Sequence, residues 1–240
     1  MQAAEILEKT AVARAAPAHQ RMRGVAEVAM ARRRGATRLT GLAQSGAAKA
    51  MLPRVHGADP EVVLLNTAGG LTGGDNLRYA LSLGDGARAV ATTQTAERAY
   101  CSLPELPPAR LDVEITVGAG GHLSWLPQET ILFDGAALHR RTRSDLAAGA
   151  SCLACESGVL GRAAMGETVA RLDFRDWREI RRAGAPVYLD PFAFGQGNLA
   201  KRDGVATLGG ARAMASVVFV GEDAEDRLEP LRGLIDSAPG

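Results

Sequence analysis

The sequence predicts one mainly β domain, and three observations carry the prediction. Glycine supplies 28 of the 240 residues, above the roughly 7% of ordinary proteins, and it falls between short apolar segments. Several of those segments alternate apolar and polar residues with period two, the spacing of a half-buried strand. Runs with helical periodicity are few. At 46% hydrophobic content the chain is long enough to bury a sizeable core. No break in composition and no fixed-period repeat divides it, so the reading is a single domain with two layers of strands.

Taken in order, residues 1–20 read as an N-terminal extension, disordered or helical, with a frayed helix over 2–15, and the β domain as 21–240. The stretch "RGVAEVAMARRRGATRLTGLAQ" gives two strands joined by a basic turn at Arg32 to Gly35. "EVVLLNTA" is a continuous apolar run of the kind that suits a strand buried on both faces, ending at Thr67. In "NLRYALSLGDGA", Leu77, Tyr79, Leu81 and Leu83 share one face, and a Gly-Asp-Gly turn follows. "TQTAERAYCS" has room for one helical turn. "RLDVEITVGAGG" repeats the strand pattern with Leu111, Val113, Ile115 and Val117. "ASVVFVG" is a second continuous apolar run, read as buried on both faces. "GEDAEDRLEPLRGLID" is the remaining helix, interrupted at Pro230.

Charge and cysteine content narrow the function. Basic and acidic residues number 28 and 27, a formal net charge of +1, which gives no case for nucleic acid binding. Lysine occurs only at Lys9, Lys49 and Lys201; the arginine bias reflects either genome composition or the suitability of its planar fork for interfaces. Cys101, Cys152 and Cys155 form no even disulfide framework. Glu5 and Glu8 stand where a signal peptide needs an apolar run, and no stretch approaches the roughly 20 apolar residues of a membrane span. A soluble, cytoplasmic protein is expected.

The stretch "NTAGGLTGGDNL" invites a phosphate-loop reading, since Gly69 and Gly74 have the right spacing. Asp75 and Asn76 then occupy the positions of the lysine and hydroxyl, and an acidic side chain there repels polyphosphate. What survives is geometry: Gly69, Gly70, Gly73 and Gly74 permit positive φ and close backbone approach, turning the chain back into a strand at Leu77. Asp75 either caps the amides of that turn or is a functional carboxylate. Cys152 and Cys155 have ligand-like spacing, but no second pair follows, and residues three apart in a strand face opposite sides. His19, His56, His122 and His139 form no metal motif, and no stable metal or cofactor site is expected. A nucleophile elbow is missing. Glu129 and Asp134 have the character of a glycosidase carboxylate pair, against an aromatic content of only 4%. The clusters Arg32–Arg34, Arg140-Arg141-x-Arg143 and Arg181-Arg182 read as solvated turns or as rim contacts for a partner.

Four motifs, "LLNTAGGLTGGDNL", "TTQTAERAY", "WLPQETILFDGA" and "GRAAMGE", occur in this order. Together they resemble the urease accessory protein UreD (UreH) family, from about "RMRGVAEV" to the end of the chain. Asn76 stands where an arginine is expected. The resemblance also implies further strand and helix beyond "DSAPG", so the C-terminal end is read as truncated. It implies a stacked-strand, β-helix-like domain with few short helices. It further implies a non-enzymatic chaperone for the nickel centre of urease, contacting the urease apoprotein and UreF and, through UreF, the GTPase UreG, with no nucleic acid or membrane partner. Nickel is handled transiently, through the protein's interior. On that reading Asp75, Glu129, Asp134 and Glu167 face the nickel path or the urease docking surface, because a moving Ni²⁺ needs weak oxygen donors. The alternative for each is a turn cap or an ion pair with an arginine such as Arg98 or Arg162. The competing functions are a β-helical carbohydrate-active hydrolase using Glu129 and Asp134, and a plain interaction scaffold.

Overall fold

Short strands separated by glycine turns cannot bury an apolar face alone; they must stack, and here the turns send successive strands to two sheets in alternation. The computed structural model describes residues 20–54, 57 and 59–237. The chain opens with β1 (Arg23–Arg33), β2 (Ala36–Gly46) and β3 (Ala48–Met51). Then follow β4 (Glu61–Asn66), β5 (Asn76–Leu83), β6 (Arg88–Thr93), β7 (Glu97–Ala99), β8 (Ala109–Val117), β9 (His122–Trp125), β10 (Thr130–Leu132), β11 (Ala136–Leu146), β12 (Ser151–Leu160) and β13 (Leu172–Arg182). β14 (Ala185–Phe194), α1 (Gln196–Leu199), β15 (Ala213–Val220) and α2 (Leu228–Asp236) complete it. No helix among the described residues is long and apolar enough to cross a membrane.

β5, β8, β11 and β13 run parallel side by side in the first sheet. β4, β6, β9 and β12 do the same in the second, with β7 and β10 adding a short parallel ladder beside β12. The chain crosses from second sheet to first and back with each coil, which makes a four-coil parallel β-helix, the stacked-strand fold expected. β1 extends the first sheet parallel to β5 and carries β2 as an antiparallel hairpin, and antiparallel pairing adds β3 to β4, β14 to β13 and β15 to β12. The outermost strands of the two sheets are then β14 and β2, and β3 and β7.

The period-two patterns work as expected. Leu77, Tyr79, Leu81 and Leu83 of β5 and Leu111, Val113, Ile115 and Val117 of β8 are all buried, in register with one another. From the coil after β8, several of the same inward positions turn polar: Arg140, Thr142 and Ser144 on β11 and Asp176 on β13 are buried too. The inward face is therefore apolar along β5 and β8, apart from the Tyr79 hydroxyl, and mixed apolar and polar along β11 and β13.

Three expectations need correction. "TQTAERAYCS" holds the strand β7, because its backbone finds a ladder partner in β10 and pairing overrides the helical preference of Ala, Glu and Arg. "EVVLLNTA" and "ASVVFVG" are not buried on both faces: β4 alternates buried and half-buried residues, and β15 leaves Val217 54% exposed. Pro230 does not interrupt α2, since it sits in the helix's first turn, where a missing N–H costs nothing. The N-terminal helix over 2–15 lies outside the described residues, and the extension 1–20 does so apart from Gln20.

Candidate functional site

The glycine stretch is a turn between the two sheets. Gly69, Gly70 and Gly74 hold φ of +79°, +152° and +85°, whereas Gly73 does not adopt positive φ. Crowding accounts for Gly73: a Cβ there would sit 3.1 Å from the Cβ atoms of Leu106 and Ser102. Asp75 is buried and ties this turn to the first strand. Its Oδ1 accepts the Met22 N–H and its Oδ2 the Thr72 N–H, each at 2.9 Å. Both oxygens of the carboxylate are thus taken up by backbone amides.

Asp134 and Glu167 come together from two motifs. The Asp134 N–H donates to Glu167 Oε1 at 3.2 Å, and Arg162 donates to Glu167 Oε2 from its backbone N and its Nε at 2.9 Å each. Asp134 Oδ1 in turn accepts the amides of Ala170 and Arg171 at 2.8 Å. Those two amides hold the Asp134 carboxyl below the usual carboxylate range, and the Arg162 guanidinium does the same for Glu167. A carboxylate locked in its ionised form is a poor general acid, which weighs against the hydrolase alternative. Glu129 and Asp134 share no hydrogen bond.

Glu129 leads to a residue that sequence reasoning missed. Its carbonyl accepts the Glu97 N–H at 2.9 Å, where β7 runs beside β10. Asn66 Nδ2 donates to both oxygens of the Glu97 carboxylate at 3.2 Å, and the Arg98 N–H donates to Oε1 at 3.0 Å. Tyr79, Thr93, Gln94 and Thr95 line the small pocket around it. Burial pushes the Glu97 carboxyl above its usual range, against the pull of Asn66 and the Arg98 amide. Burial and then the Glu97 charge raise the Tyr79 hydroxyl as well. Arg98 also borders the pocket, and its positive charge draws the Glu97 carboxyl down. The motifs "LLNTAGG" and "TTQTAERAY" thus meet in one pocket.

The mixed apolar and polar part of the interior contains a charged cluster. Arg140 Nε donates to Asp176 Oδ1 at 2.9 Å and its Nη1 to Thr130 Oγ1 at 3.1 Å, and its Nη2 lies 3.2 Å from Glu156 Oε2. Trp125 Nε1 and Thr142 Oγ1 donate to Glu156 Oε1 at 2.8 and 2.7 Å. Burial works against the charge on Arg140, yet Glu156 and Asp176 hold its pKa above the ordinary value. Beside the cluster lies a cavity of about 20 Å³ bordered by Arg178, Tyr188 and Ser216, room for a water molecule. This corrects the reading of Arg140-Arg141-x-Arg143 as a turn. The three lie in β11, where period two sends Arg140 inward and Arg141 and Arg143 outward. Arg181 and Arg182 likewise belong to strand β13 rather than to a turn.

Cys152 is buried and Cys155 half-buried within β12, and burial pushes the Cys152 thiol up to about 12. Cys101 is exposed. His122 lies between two hydroxyls, Ser151 Oγ at 2.8 Å and Ser124 Oγ at 3.1 Å, and His139 faces Asp173 at 3.3 Å. His19 and His56 lie outside the described residues. Among the described residues, no three His, Cys, Asp or Glu side chains gather closely enough to hold a metal ion.

Comparison with known proteins adds the family. Residues 22–240 match the family model described as UreD urease accessory protein. A urease accessory protein UreD from one strain of Cereibacter sphaeroides is 57% identical over 221 residues, 92% of this chain and 79% of the relative. Its counterpart from Dinoroseobacter shibae is 52% identical over 219 residues, 91% of this chain and 76% of the relative. A second C. sphaeroides relative is 63% identical over 174 residues, 72% of this chain and 62% of the relative, so that match spans less than two thirds of the relative's length.

Proposed function

We infer from one premise, that this chain belongs to the UreD urease accessory protein family, that it serves in the maturation of urease. Its part is that of a non-enzymatic scaffold. It contacts the urease apoprotein and UreF, reaches the GTPase UreG through UreF, and lets nickel pass as cargo toward the urease centre in the cytoplasm. It keeps no cofactor of its own. The observation that carries the reading is the family match over residues 22–240.

The chemistry around Glu97 supports the cargo step. A passing Ni²⁺ must be held weakly enough to leave, which favours carboxylate, hydroxyl and amide oxygens over imidazole or thiolate. Glu97, Tyr79, Thr93 and Gln94 offer such donors in one pocket, where the Arg98 charge opposes tight retention of a cation, and Glu129 adjoins it through the backbone. Asp75, Asp134 and Glu167 have their oxygens engaged by amides and Arg162, so on this reading they shape the loops that meet partners.

Co-expression of the urease structural and accessory genes with and without this chain tests the role, with urease activity and bound nickel as readouts. Loss of both without the chain is expected; equal activation without it removes the maturation role. The double variant Glu97→Gln/Glu129→Gln tests the cargo step. Normal complex formation with poorly nickel-loaded urease is expected, and full loading leaves the plain scaffold as the function.

A further inference from the structure

The outer face of the first sheet carries its charges in rows across the strands, and one row differs from the rest. The parallel register sets Val25, Arg78, Asp112, Arg141 and Trp177 in one row, and Glu27, Ala80, Glu114, Arg143 and Glu179 in the next. A third holds Ala29, Ser82, Thr116, Asp145 and Arg181. These rows neutralise themselves. Arg78 bridges Glu27 and Glu114, Arg141 reaches Asp112 and Glu114, Arg143 pairs with Asp145, and Arg181 with Glu179.

The row nearest the glycine turns holds Arg23, Asn76, Arg110, His139 and Arg175, and no carboxylate. At strand spacing it runs about 19 Å. All three arginines are exposed. Among the described residues Arg23 and Arg110 make no ion pair, while Asp173 is shared between His139 at 3.3 Å and Arg175 at 3.4 Å. Arg175 also lines a groove that continues the row. Arg171, which lies 3.8 Å from Asp134, borders the same groove together with Asp173, and Leu103, Pro104, Leu106 and Pro108 form its wall.

We propose that this row, with its excess of positive charge, and the adjoining proline-leucine groove form a docking site for an acidic segment of a partner protein, with an apolar residue beside its carboxylates. Charge complementarity commits the site to an anionic partner, because the same sheet face neutralises its other arginines internally, whereas here Arg23 and Arg110 have no ion pair among the described residues and the single carboxylate Asp173 is shared by His139 and Arg175. The apolar wall selects a protein segment over nucleic acid, whose phosphates find no use for it, and the chain's net charge of +1 supplies no wider basic field. The proposal does not depend on the nickel reading.

Fluorescence anisotropy on the full chain tests it, using a labelled Gly-Ser peptide with glutamates clustered around a leucine pair. Versions with lysine or glutamine replacing glutamate, and a single-stranded oligonucleotide, serve as competing probes. The glutamate peptide is expected to bind about tenfold more tightly than the others, and more weakly as salt rises. Arg110→Gln/Arg175→Gln should cost about tenfold in affinity, whereas Arg141→Gln/Arg143→Gln, with the same change in charge, should cost under about twofold. Thermal melts confirm that both double variants are folded. The site is overturned by equal losses in the two variants, by no preference for the glutamate peptide, or by an oligonucleotide that binds as well.

Discussion

Asp75 and Glu97 are both carboxylates in motif segments, and their surroundings assign them opposite behaviour. Asp75 has each oxygen on a backbone amide, so Asp75→Ala leaves the Met22 and Thr72 N–H groups unpaired. We expect a loss of about 1–3 kcal/mol, read as a lower urea midpoint; an unchanged midpoint would show that the turn does not need the cap. Glu97 is penalised when charged, because burial raises its pKa in the folded state and its unfolded value is ordinary. Between those two values the folded protein binds the extra proton. Glu97 therefore withdraws stability as pH rises from the ordinary carboxylate range up to its own raised pKa, with no further change above it. Glu97→Gln should flatten that part of the stability profile and be at least as stable at neutral pH. Unfolding curves across mildly acidic to neutral pH check this, and a wild-type profile retained by the variant would remove Glu97 as its source.

α2 presents its apolar side chains to solvent, with Leu234 and Ile235 69% and 62% exposed, and the outward face of β15 beside it carries exposed Val217. Apolar surface of this kind promotes association. Leu234→Gln/Ile235→Gln should raise the monodisperse fraction in light scattering and leave the melting temperature unchanged; a lowered melting temperature would mean the helix is packed in solution. Elements of this fold were legible where one face is buried, because burial imposes period two, as in β5 and β8. β7 was not legible, since its strand state comes from β10 and not from its own residues. Arg140 was missed because arginine reads as surface and its partner Asp176 lies 36 residues away. The same alternation, applied to "AALHRRTRSDL", points Arg140 inward. The glycine turn was legible from composition, whereas the Glu97 pocket needs Asn66, 31 residues distant, and only the fold brings the two together.

Across the whole molecule, the polar inward positions of β11, β12 and β13 make the second half of the helix dependent on a buried charge cluster, in which Arg140 serves both Glu156 and Asp176 and Arg178 lies 3.3 Å from Asp176. Arg140→Met should cost about 3–5 kcal/mol, because Glu156 would remain buried with no cation and Asp176 would keep only Arg178. Replacing all three by apolar residues of similar volume should recover most of that loss, since a packed apolar cluster competes well with a buried ion triad. Chemical denaturation of both variants decides, and a single variant as stable as wild type would mean that water already solvates the cluster. The winding of the chain has a different consequence. Each coil touches only the coil before it and the one after, so the stack behaves as a one-dimensional lattice whose cohesion is a sum of nearest-neighbour couplings. Such a lattice melts from its ends: β8 and β9 have ordered neighbours on both sides, while the end strands have one. Opening should therefore spread inward like fraying along a rope, leaving the ends as the places where the chain is most easily remodelled by whatever it meets.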